Sequence, residues 1–148
     1  MARLRLRYYR RGRLELGPVA LEVYRLEREE EVEGDLVEVF GDVSERFRES
    51  PEYAVLVEDP STGRRAVYTS YREGVLMFQE PARLLRVSLI GDETLQPGGS
   101  LASYSAPEPV YVYVGRIAVS KKDVYGVLLE TDKGKRFIRL RGDEERLQ

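Results

Sequence analysis

Alternation of apolar and polar residues with a period of two runs through most of this chain and predicts strands rather than helices. Its strongest expression is Val110–Val119, VYVYVGRIAV, where seven of ten positions are β-branched or aromatic and Arg116 is the single charge. Tyr111, Tyr113, Ile117 and Val119 fall on one side, and Val110, Val112, Val114 and Ala118 on the other. A strand apolar on both faces belongs inside a sheet with cover on both sides, so this segment is expected to be central and Val112 and Val114 buried.

The neighbours follow the same logic. Arg3, Arg5 and Arg7 alternate with Leu4, Leu6 and Tyr8, one wet and one dry face, and RRGR around Gly12 predicts a turn returning through Leu14–Leu16. Gly17-Pro18 breaks that segment, and Val19–Leu26 predicts a third strand. The run EREEEVEGD at 27–35 holds six acids and offers no core, so a solvated loop or a frayed strand extension is expected. Leu36–Phe40 reads as a short strand, and the Asp42…Glu45 capping pattern predicts one short helix near 42–50, ended by Pro51.

Tyr53–Glu58 and Arg65–Tyr71 flank the turn DPSTG, whose Gly63 suits a positive φ. Val75–Phe78 and Leu84–Ile90 predict two more strands, and Gly91–Pro109, with its prolines and small residues, a low-order segment. Val124–Glu130 and Arg136–Arg141 close the pattern as a hairpin, followed by a polar tail at 142–148. About ten strands and one helix make an all-β plan: a mostly antiparallel barrel or two-sheet sandwich of sequential hairpins, in one domain over 1–148.

Composition sharpens this picture. The chain has 148 residues without cysteine, histidine, tryptophan or asparagine, and twenty arginines against four lysines. Disulfides and Cys-based zinc sites are excluded, and the usual general base at neutral pH is missing. Depletion of thermolabile residues points to a thermophilic prokaryote, an archaeal one on this reading. No signal peptide or run of about 20 apolar residues is present, so a cytoplasmic protein without a membrane partner is expected.

The net charge of −2 hides a segregation: residues 1–26 hold seven Arg against two Glu, and residues 27–52 eleven acids against three Arg. Two basic hairpins are the candidate surfaces. Arg3, Arg5, Arg7, Arg10, Arg11 and Arg13 surround Tyr8 and Tyr9 in the first, and Lys133, Lys135, Arg136 and Arg139 form the second. Arginine forks suit phosphates and tyrosines stack on bases, so a nucleic-acid surface is one reading. Pairing of the arginines with the nearby acidic run is the other.

Glycine segments at 63–65 and 96–100 match no phosphate-binding pattern, and the acidic run lacks the spacing of a calcium loop. With neither His nor Cys, and no carboxylate pair in an apolar stretch, no catalytic residue, cofactor, metal or small-molecule substrate is indicated. The expectation is a non-enzymatic accessory protein that docks on a larger assembly of polymerase, ribosome or cytoskeletal-filament type, or on itself. A nucleic-acid-binding β-barrel using the first hairpin is the alternative.

Overall fold

The computed structural model describes residues 2–70, 82–92 and 100–140. The described residues are mostly antiparallel β-structure, with nine strands and a single short helix. Strands β1 (Ala2–Leu16) and β2 (Val19–Gly34) form a long hairpin, followed by α1 (Leu36–Arg46), β3 (Tyr53–Asp59) and β4 (Arg64–Thr69). Then come β5 (Ala82–Ile90), β6 (Ser100–Ser105), β7 (Tyr111–Val119), β8 (Gly126–Thr131) and β9 (Gly134–Arg139).

The chain divides into two compact units. The first, residues 1–12 and 24–73, carries the strand order β4-β3-β1-β2 and the helix. Its core joins Leu4, Leu6 and Tyr8 of β1 with Val55 and Val57 of β3 and Leu36 and Val43 of α1. The second, residues 13–23 and 74–148, carries the order β2-β7-β5-β8-β9, with β6 on β5. Its core draws Leu14, Leu16, Val19, Leu21 and Val23 from the hairpin's turn end onto Leu84, Val87, Leu89, Val112, Val127 and Leu129.

Several boundaries differ from the sequence expectation. The first hairpin turns at Gly17-Pro18, where Gly17 has φ +59°, and not at RRGR. A two-residue loop with positive φ at its first central residue matches the twist of the strands it joins. Gly12 instead lies within β1, where a Cβ would stand 2.8 Å from the Arg25 guanidinium. Its glycine marks a close approach and not a turn.

The acidic run is the strand extension of the two forms expected, part of β2 up to Gly34. The short helix lies at Leu36–Arg46, overlapping the one expected near 42–50 but starting earlier and taking in the residues 36–40 expected as a strand. Its cap is Asp35, whose carboxylate accepts from the Val37 and Glu38 amides at 3.1 and 3.2 Å. Asp35…Glu38 has the same spacing as Asp42…Glu45, and the earlier pair governs because Leu36, Val39, Phe40, Val43 and Phe47 then form one apolar stripe.

The expected hairpin at 53–71 is present as β3 and β4, with Gly63 at φ +76°. β7 lies between β2 and β5, the interior place expected for it, and Val110, Val112 and Val119 are buried while Tyr111, Ile117 and Ala118 are half-buried. Gly91–Pro109 is not low-order throughout, since Ser100–Ser105 pairs with β5. The expected strand at 75–78, the tail at 142–148 and the side chain of Val114 lie outside the described residues.

Candidate interaction surface

Arg3, Arg5 and Arg7 stand where strand alternation puts them, on the face of β1 opposite Leu4, Leu6 and Tyr8, while Arg10 shares the face of Tyr8 and lies over the Tyr53 ring. These four each meet an acid of the same unit. Arg3 Nε lies 3.4 Å from Glu31, Arg7 Nε 2.7 Å from Glu29, and Arg10 Nη1 3.7 Å from Glu27. Arg5 donates to Glu58, its register partner on β3, and Glu58 also faces Arg65 of β4 at 3.9 Å. Alternating signs therefore cross the four strands of this unit, which is how eight residues rich in glutamate are held in a strand.

Exposed pairs of this kind contribute about 0–1 kcal/mol each. Glu58 is the most enclosed of these acids, with a side chain 12% exposed. The hydrogen bond from Arg5 holds its carboxyl below the usual glutamate range. The stabilisation is complete above the unfolded value, about 4.3, and is lost as pH falls through the lower folded value. Arg5→Gln is therefore expected to lower stability at pH 7 and to flatten its decline below pH 4.5, measured as melting temperature against pH. An unchanged acid limb would show that Arg5 does not hold Glu58.

Neither tyrosine is exposed on that surface. Tyr8 and Tyr9 are each 1% exposed, pointing to opposite faces of β1. The Tyr8 hydroxyl donates to Glu30 and accepts from Arg46 Nη2 at 2.8 Å, while the Arg28 guanidinium lies 4.0 Å over its ring and 3.1 Å from Glu30. Phe47 closes the cluster at 5.7 Å between ring centroids. Burial, joined by the bond to Glu30, pushes the Tyr8 hydroxyl pKa up. That same bond holds Glu30 below its usual range. Neither ring is presented for stacking on a base. Arg11 is bound through its backbone amide to Glu52 at 2.6 Å, and Arg13 pairs with Glu15 at 3.0 Å.

The second hairpin lies in the other unit. Lys133, Lys135, Arg136 and Arg139 are all exposed. Lys135 approaches Glu130 at 3.3 Å, and Glu130 also faces Arg86 at 3.6 Å. Arg139 stands 5.2 Å over the Tyr125 ring, which stacks on Phe137 at 5.8 Å and 23°. Phe137 in turn covers Gly126, where a Cβ would meet the ring at 2.3 Å. This is a basic strip with a half-buried aromatic pair beside it.

Glu58, Arg28 and Arg46 in the first unit, and Arg86, Tyr125 and Phe137 in the second, were not singled out from the sequence. Among the described residues no cluster of three or more His, Cys, Asp or Glu is arranged to hold a metal ion, and no helix is long and apolar enough to cross a membrane. Compared with protein-family models, curated proteins and solved structures, the chain matches none.

Proposed function

We propose that this chain is a non-enzymatic interaction protein of a cytoplasmic, thermophilic setting, docking on a larger assembly or on a second copy of itself. One observation carries the reading: Arg3, Arg5, Arg7 and Arg10 of the first hairpin face glutamates of their own sheet, and both of its tyrosines are core residues. Phosphates would have to compete with those carboxylates for the guanidinium forks. Bases would find no ring to stack on.

A gel-shift titration with single- and double-stranded DNA and RNA at low salt tests this, together with the triple change Arg3→Gln, Arg5→Gln and Arg7→Gln. No shift at micromolar protein is expected for either form, with a slightly lower melting temperature for the variant. Salt-sensitive binding whose log K against log salt slope flattens by roughly two units in the variant would replace this reading with a nucleic-acid one. The second reading rests on the other hairpin, whose exposed Lys135 and Arg139 flank the Tyr125–Phe137 stack. In that case binding would survive the triple change and fall with Arg139→Gln.

A further inference from the structure

Strand β6 pairs with β5 from Arg86↔Ser105 through Ser88↔Ser103 to Leu89↔Ala102, and among the described residues no strand pairs with its other side. An unpaired strand side is a row of backbone donors and acceptors, and proteins commonly guard it with charge. The terminal strands of the two described orders are guarded in that way. β4 begins with Arg64 and Arg65, and β9 carries Lys135, Arg136 and Arg139. β6 reads SLASYS and has no charge at all.

Its apolar side chains are also incompletely covered. Ala102 and Tyr104 pack half-buried against the second core, and Leu101 is 46% exposed. Ala102 and Tyr104 thus form the margin of the core face, while Leu101 lies on the other face with Ser103 and Ser105 and is half open to water.

We propose that β6 is the strand through which two copies of this chain pair, antiparallel, about a two-fold axis at Ser103. This rests on the interaction-protein reading above and names its partner as a second copy. Chemistry fixes the register. A two-fold axis perpendicular to the sheet sets a residue opposite its own copy, with its neighbours paired on the same face. Centred on Ser103, it puts Ala102 opposite Tyr104, small against large, and Leu101 opposite Ser105. Centred on Tyr104, it would force two tyrosine rings together. A neutral strand meets itself without repulsion, whereas β9 paired about Phe137 would set Lys135 against Arg139.

Sedimentation equilibrium of the full chain, from micromolar to millimolar, provides the test. The wild type is expected to pass from monomer to dimer with concentration. Ser103→Lys and Ser103→Glu each place like charges at the axis and are expected to weaken self-association roughly tenfold or more, while an equimolar mixture of the two restores it as a heterodimer. Circular dichroism melts of both variants confirm that they are folded. A wild type that stays monomeric throughout, a Ser103→Lys variant that dimerises as well as wild type, or a mixture that gives no heterodimer overturns the proposal. Nuclease-resistant capture of a different protein by a monomeric wild type would overturn self-pairing and leave the docking reading standing.

Discussion

Val112→Asp is expected to abolish folding. Val112 is 2% exposed, sits opposite Ala82 of β5, and belongs to the core that includes Leu84, Val87, Leu129 and the hairpin residues Leu21 and Val23. A carboxylate there has no partner among these apolar side chains, and burying one charged or forcing it neutral costs several kcal/mol. Whole domains are stable by only about 5–15 kcal/mol, so this one change consumes most or all of the margin. The expected result is insoluble protein, or soluble protein without a cooperative melt in circular dichroism. A soluble Val112→Asp variant melting cooperatively near wild type would show that β7 does not run through the interior.

Tyr8 gives the second large effect, in two parts. Tyr8→Ala removes a ring packed against Phe47 and under the Arg28 guanidinium, a deletion that costs about 3–5 kcal/mol for buried aromatics. For a chain of this size that is a fall on the order of 10 °C in melting temperature. Tyr8→Phe keeps the ring and removes the hydroxyl that bridges Glu30 and Arg46, at about 1–3 kcal/mol. The difference between the two variants measures the ring, and the smaller loss measures the bridge. Equal losses would mean that the hydroxyl network, and not packing, holds this corner of the first unit.

The contrast between Tyr8 as a surface candidate and Tyr8 as a core residue shows where the sequence was informative. Strand identity was legible wherever β-branched and apolar residues ran between clear turn formers, as in Tyr53–Glu58 and the hairpin of β8 and β9. Period two alone places Tyr8 with Leu4 and Leu6, and that parity was the better guide than its arginine neighbours. The turn was harder, because two glycine-containing candidates stood five residues apart. Only the approach of Arg25 to Gly12 separates them, and Arg25 comes from the returning strand.

Placing the turn at Gly17-Pro18 brings β2's glutamates alongside β1's arginines, which decides between the two expectations for the acidic run in favour of a strand extension. The helix was displaced for a similar reason: two Asp-x-x-Glu caps compete, and the winner is chosen by contacts with β3 and β1 that a local reading does not contain. No local pattern announces Arg46 as a partner of Tyr8, thirty-eight residues away.

The long hairpin also has a consequence for the order in which the chain is made. Residues 13–23 belong to the second unit but are an excursion out of the first, whose segments are 1–12 and 24–73. The first unit's core residues run only as far as Tyr68, so it can close while most of the second is still unsynthesised. Leu14, Leu16, Val19, Leu21 and Val23 must then wait for Leu84 through Leu140 to emerge. At about 5–20 residues per second the wait is on the order of ten seconds, with five apolar side chains on two adjacent strands open to other nascent chains. On the ribosome, the tip of this hairpin is an apolar surface that a chaperone would shield until the second unit is made.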